Sequence, residues 1–222
     1  MTHVSFSSIM REAHLPRDVV TRLASCRRFT LLYEEGSLAD SIYYLESGLV
    51  KIFKHCAGGR DVVLGLIRPG EVFGEEALLT RGHRCTSAEV VSEASVSVVP
   101  REAMLGFCHE SPETWRLVAD QLLRRAQVLE KKLELFMSRG VEYRILHYLA
   151  ELAEVLGVPQ ADGSCAVSFS QVEIAALVGA TRETTSSALN ELARRGLVVL
   201  GRRRLVVAPP KVLRFYATRG PV

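Results

Sequence analysis

Two hydrophobic rhythms divide the chain. In its first part, short apolar runs are broken by glycine: RRFTLLYEEG, SIYYLESG, LVKIFKHCAGG, RDVVLGLIRPG and EVFGEEALL. Each run reads as a short strand. Gly36, Gly48, Gly58, Gly59 and Gly70 read as the turns between them, where the backbone favours positive φ. TSAEVVSEASVSVV supplies two more strands, and a short helix from about Arg101 to Cys108 closes the unit. This spacing predicts a small β-sandwich or roll.

The period then changes. Neither glycine nor a further proline interrupts the chain from Pro112 to Arg139, which predicts one long helix. Along it Trp115, Ala119, Leu122, Ala126, Leu129, Leu133 and Phe136 alternate spacings of four and three, a heptad seam suited to a dimer interface. Arg124, Arg125, Lys131, Lys132 and Glu134 fall on faces that stay wet. Val118, Leu123, Val128 and Leu135 form a second apolar set expected to pack on the β unit. Ser138, Arg139 and Gly140 break the helix and form a candidate hinge. VEYRILHYLAELAEVLG is a further amphipathic helix, VPQADGSCAVSFS a loop with a hairpin, and LVVLGRRRLVVAPP a strand, a tight turn and a strand. The fold class is therefore α+β. A β-roll (jelly roll) is expected over 1–112, a dimerisation helix over 113–138 and a winged helix-turn-helix over 139–222.

The stretch SQVEIAALVGATRETTSSALNELARRG carries the candidate chemistry. Ser170 can cap a first short helix, with Glu173 completing a capping box. Gly179 permits the sharp turn of a helix-turn-helix, and Thr181 caps the second helix with Thr184 nearby. Ile174, Leu177, Val178, Leu189 and Leu192 point inward. Arg182, Glu183, Ser186, Ser187 and Asn190 share one outward face. Arginine can donate twice to guanine, glutamate can accept from cytosine, and serine or asparagine can reach several bases. Arg202, Arg203 and Arg204 at the wing tip can neutralise phosphates. Ser170, Gln171 and Thr181 are placed to meet the backbone at the helix starts.

Charge agrees with this reading. The formal net charge is +3, yet from Arg182 to Val222 nine basic residues face two acidic ones, leaving 19 basic against 23 acidic elsewhere. A basic end on an acidic body expects a polyanion partner. A hydrophobic fraction of 48% without any apolar run near the ~18 residues of a membrane span points to a globular protein off the membrane. MTHVSFSSIMREAHL lacks the basic start, apolar core and cleavage site of a signal peptide, so the cytoplasm is expected. Cys26, Cys56, Cys85, Cys108 and Cys165 are odd in number, scattered and never paired as C-x-x-C, which argues against a disulfide framework, a zinc site or an iron–sulfur cluster. The six histidines, His3, His14, His55, His83, His109 and His147, share no motif. The pairs His55-Cys56 and His83-x-Cys85 read as surface pairs rather than haem or metal donors. No nucleophile–base arrangement is visible, so an enzyme is not expected.

VGATRETTSSALNELARRGLV resembles the recognition unit of the CRP/FNR transcription regulators, and RPGEVFGEEALL resembles the phosphate-binding cassette of their cyclic-nucleotide-binding domain. The resemblance spans nearly the whole chain. It implies a homodimeric, sequence-specific regulator of a palindromic double-stranded operator, working with RNA polymerase and controlled by a small-molecule effector in the β-roll. Arg182 and Glu183 match the family's base-reading pair, whereas Ser187 stands where many members carry a second base-reading arginine, implying a variant half-site. The resemblance places the effector pocket at Gly74, Glu75, Arg84, Thr86, Ser87, Leu129 and Glu130. Gly74 and Glu75 fit the Gly-Glu pair that meets ribose and phosphate in cAMP-binding members. Thr86 replaces the expected arginine before Ser87, and Leu129 and Glu130 replace the Thr-Ser that meets adenine. Ordinary cAMP sensing is not expected, and Arg84 reaches a phosphate only if its loop folds back. The alternatives are a cupin-like, metal-dependent β-roll enzyme and a cyclic-nucleotide-binding signalling module.

Overall fold

The computed structural model describes residues 21–56, 60–79, 82–110 and 112–219. Their contacts divide the chain into two compact units, residues 1–55 with 64–129 and residues 56–63 with 130–222. Gly58, Gly59, His3 and His14 lie outside the described residues.

The first unit is an antiparallel sheet built on two long strands. β3 (Ser41–Cys56) runs unbroken where the glycine pattern suggests two strands, and β6 (Ser87–Pro100) likewise replaces an expected pair. Gly48 is the reason. It stands at φ +89° inside β3, and a Cβ there would overlap Glu93 O and the Ala94 backbone on β6. The register between β3 and β6 shifts on both sides of it, from Leu45 to Val50. Gly48 therefore marks a β-bulge, which bends a strand without ending it. β1 (Thr21–Cys26), which the sequence pattern did not reveal, pairs with the other edge of β6. The sheet runs β1-β6-β3-β4, with β2 (Leu31–Tyr33) joined to β6, β5 (Val72–Phe73) joined to β3, and β4 at Arg60–Ile67. One core cluster, centred on Tyr33, Tyr43, Leu45, Val50, Ile67 and Phe73, fills the roll. A second gathers Ile42, Val72, Leu78, Val99, Met104 and Val118 under α1 (Glu76–Leu79), α2 (Arg101–Glu110) and the start of α3 (Pro112–Ser138).

The seam on α3 divides. Trp115 and Leu122 pack on that second cluster, Leu129 lines a cavity in the first unit, and Phe136 lies against Gly179 in the second. These four recur every seven residues, a period that drifts by about 20° per heptad on a straight helix, and Leu129 is still 43% exposed. Ala119, Ala126 and Leu133 stay exposed. Leu123 and Val128, expected to be covered, are 60% and 55% exposed, whereas Val118 is buried. The apolar stripe left in solvent is therefore Ala119, Leu123, Ala126, Leu133 and Met137, again spaced four, three, seven and four, with Glu130 between.

The second unit includes the last turns of α3, which ends at Ser138, and Gly140 caps α4 (Val141–Leu156), so Ser138, Arg139 and Gly140 form the break between two helices. Around α4 stand α5 (Gln171–Val178), α6 (Arg182–Arg194) and a sheet of order β7-β8-β10-β9 (Val158–Pro159, Cys165–Val167, Arg204–Val207, Val198–Gly201). α7 (Pro210–Arg219), absent from the sequence reading, packs on α4 through buried Leu213. Arg214 also clasps Glu154 there, at 2.8 and 2.5 Å.

Lys132 joins pieces of this unit. Its ammonium donates to Val63 O and, at 3.2 Å, to Leu177 O, and lies 5.4 and 5.3 Å from the rings of Phe136 and Tyr148. Burial pushes its pKa down to about 8, with Glu151 opposing and Arg144 assisting. Between that value and the ordinary 10.5 the unfolded chain holds the proton and the folded chain releases it, so stability rises with pH through this window. Relative to Lys132→Met, the wild type should gain about 2 kcal/mol between pH 8 and pH 10 in urea melts. A parallel pH dependence of the two proteins would contradict this.

Candidate nucleic-acid interface and ligand cavity

Local sequence fixes the α5–α6 corner. The Ser170 hydroxyl accepts from Glu173 N at 3.3 Å, and the Glu173 carboxylate accepts from Ser170 N at 2.8 Å, closing a reciprocal capping box. Gly179 ends α5 in the left-handed region at φ 58°, ψ 45°. Two residues later the Thr181 hydroxyl accepts from Thr184 N at 3.2 Å and starts α6. Ile174, Leu177, Val178, Leu189 and Leu192 are buried, so both helices are pinned by their inner faces.

The outward face of α6 is then decided. Arg182, Glu183, Ser187 and Asn190 are exposed and Ser186 is half-buried. Glu183 is held below its ordinary pKa first by a backbone N–H at the helix start and then by Thr181, so it stays an acceptor. Arg194 and Arg195 do not share in this face: Arg194 pairs with Glu191 at 2.5 Å, and Arg195 pairs with Glu142. The wing is the β9–β10 hairpin, with Arg202 and Arg203 in its turn and Arg204 opening β10. All three are exposed, and Arg203 has φ +57°. Ser170 and Gln171 are half-buried at the start of α5, and Thr181 is exposed at the start of α6. Chemically, this unit offers a narrow row of donors and acceptors beside a separate cationic loop.

The first unit holds a cavity of about 330 Å³ between β4 and α3. Of the residues the resemblance implied, Glu75, Thr86 and Leu129 line it, whereas Gly74, Arg84, Ser87 and Glu130 are not among its lining. Arg84 does fold inward, but to another task. It is 2% exposed, donates to Gly74 O at 2.9 Å and Ser41 O at 2.5 Å, and lies 4.4 Å over the Tyr33 ring. Ser87 is buried with its hydroxyl accepting from Glu35 N. The guanidiniums that do line the cavity are Arg124 and Arg125, of which Arg125 pairs with Glu75 and donates to Val72 O at 2.9 Å. No cue in the sequence points to that pairing, because Arg125 looks like one more wet position on α3. Among the described residues, no three His, Cys, Asp or Glu side chains group closely enough to hold a metal ion, and no helix is long and apolar enough to cross a membrane.

Comparison with known proteins agrees with this arrangement. Residues 24–111 match the cyclic nucleotide-binding domain, and residues 143–216 match the Crp-like helix-turn-helix domain. The chain is 31% identical over 179 residues to a CRP-like cAMP-activated global transcriptional regulator of Mycobacterium tuberculosis, covering 80% of each chain. It is 28% identical over 185 residues to a global nitrogen regulator of Synechococcus elongatus, covering 82% of this chain and 83% of that one. The crystal structure of a CRP-family transcriptional regulator from Thermus thermophilus superposes with a TM-score of 0.77 at 30% identity, over 90% of this chain and 97% of the other.

Proposed function

The chain belongs to the CRP/FNR family of DNA-binding transcription regulators, and on that premise we propose that it works as a homodimer whose two α6 helices enter successive major grooves of a palindromic operator. The observation that carries this reading is the exposed row Arg182, Glu183, Ser187 and Asn190 on a helix fixed by two caps and a left-handed glycine. Two such helices about 34 Å apart match one turn of B-DNA. The exposed wing arginines add phosphate contacts without sequence preference. Ser187 in place of a second arginine implies a variant half-site, read by Arg182 and Glu183 with Asn190 as a further reader. The protein acts in the cytoplasm on transcription by RNA polymerase, as an activator or a repressor. A ligand in the first-unit cavity shifts the balance between arrangements of the two DNA-binding units, to the extent that it binds one arrangement better.

The dimer uses the α3 stripe of Ala119, Leu123, Ala126, Leu133 and Met137, because isolated soluble helices rarely leave so regular an apolar face in water. Leu133→Glu places two carboxylates in that seam. It should turn the sedimenting species from dimer to monomer and weaken operator binding at least tenfold, since one recognition helix supplies only half the contacts. A Leu133→Glu protein that remains dimeric at micromolar concentration would remove α3 from the interface.

A further inference from the structure

The last turns of α3 meet the helix-turn-helix corner twice, and every residue involved belongs to the second unit. Phe136 lies so close to Gly179 that a Cβ there would overlap its ring. One turn earlier, the Lys132 ammonium donates to Leu177 O at 3.2 Å. The last carbonyls of an α-helix have no donor within it. In α5, Ala175 O takes the N–H groups of both Gly179 and Ala180 as the chain turns, and Leu177 O takes Lys132. Aligned peptide dipoles also favour a cation at a helix C-terminus. Lys132 therefore closes α5 from outside, with only Gly179, Ala180 and Thr181 between that end and the start of α6.

The same ammonium is held from other sides. It donates to the carbonyl of buried Val63 on β4 and stands 5.4 and 5.3 Å from the Phe136 and Tyr148 rings. Arg144 stacks 4.4 Å from the Phe136 centroid. Burial lowers the Lys132 pKa to about 8, so the fold bears a cost for this charge. For stability alone, an apolar side chain of similar length between the two rings would serve as well. What distinguishes the ammonium is the pair of carbonyls it can hold, one on β4 and one at the turn that aims α6.

We infer that Lys132 is a positioning residue for DNA reading: it anchors the α5–α6 turn to α3 and so sets the aim of Arg182 and Asn190 without touching DNA. This inference rests on the reading that α6 enters the major groove. Hydrogen bonds to base edges weaken steeply when misaligned, so a turn that tilts costs α6 its base contacts. The wing arginines reach phosphates on long side chains and tolerate the tilt. Loss of the anchor therefore lowers specificity and leaves general affinity for duplex in place.

The test compares Lys132→Met, Lys132→Gln and Lys132→Arg with the wild type in the full-length protein at pH 7. Fluorescence anisotropy is read on a duplex selected by the wild type and on an unrelated one. Circular dichroism and urea melts establish that each variant is folded, and two neutral variants guard against one that is not. Lys132→Met and Lys132→Gln should bind the selected duplex about tenfold more weakly, the size of one lost bidentate base contact. Their binding to the unrelated duplex should stay within about twofold of wild type, because the phosphate contacts are unchanged. Amide hydrogen exchange at Gly179 and Ala180 should quicken in both. Lys132→Arg keeps the charge and the donors, so it should recover binding to within about threefold of wild type. Selected-duplex binding that survives in both neutral variants, an equal loss on the two duplexes, unchanged exchange at the turn, or an arginine variant as weak as the methionine one would each overturn the inference. The equal loss would make Lys132 a phosphate contact. A wild type that prefers no duplex removes the underlying reading of α6, whereas a wild-type preference that persists in Lys132→Met removes the positioning role alone.

Discussion

Gly179→Ala destabilises the C-terminal unit by about 3 kcal/mol and takes DNA binding with it. Two physical terms add. A left-handed φ of 58° strains any L side chain by roughly 1–2 kcal/mol. The new methyl would also run into the Phe136 ring, and displacing a packed ring costs about 1–3 kcal/mol. Phe136 is not free to swing away without loss, because Arg144 stacks 4.4 Å from its centroid and Lys132 lies at 5.4 Å. The prediction is checked by a double-mutant cycle in urea. Phe136→Ala makes room for the methyl, so the pair Gly179→Ala with Phe136→Ala should be less destabilised than the sum of the singles by about 1–2 kcal/mol. Strict additivity would mean that only backbone strain matters at this corner.

Arg182→Ala lowers operator affinity by about 2–6 kcal/mol, which is at least thirtyfold, and barely changes binding to unrelated duplex. The figure comes from about 1–3 kcal/mol for one bidentate base contact, counted once in each half-site of a dimer. The side chain is exposed and makes no ion pair among the described residues that would couple it to stability, so melting should stay within about 0.5 kcal/mol of wild type. Arg203→Ala provides the contrast. On the proposed reading its place in the wing turn meets phosphates, so the loss should be equal on operator and random duplex, and the salt dependence should flatten by about one counterion per lost contact. Fluorescence anisotropy on both duplexes at several salt concentrations distinguishes the two patterns. An Arg182→Ala protein that loses affinity equally everywhere would make Arg182 a phosphate contact.

The helix-turn-helix was legible because each of its signals is local. Ser170 with Glu173, Gly179 and Thr181 with Thr184 fix helix ends within a few residues of themselves, and the wing follows from its two strands and arginine turn. What sequence could not give depends on distant partners. Gly48 reads as a turn until β6 lies beside it and makes it a bulge. Thr21–Cys26 carries little alternation and becomes a strand by pairing with β6, and α7 is a short helix held by Leu213 and Arg214 against α4. The α3 heptad row takes in residues that the chain covers itself, Trp115 and Leu122, and residues it leaves exposed, Ala119, Ala126 and Leu133, because heptad spacing alone does not say which face the chain covers. In the cavity, Arg84 and Arg125 exchange the roles their positions suggest. One folds onto backbone carbonyls and the other reaches across from α3 to Glu75, pairings whose partners lie 43 and 50 residues away in sequence.

Selection from a random double-stranded pool by the purified protein tests whether paired α6 helices read a two-fold symmetric duplex. Inverted half-sites with centres about 10 base pairs apart should be enriched, and Arg182→Ala should abolish that enrichment. Enrichment of a single unpaired half-site, or no enrichment at any salt concentration, would contradict that reading.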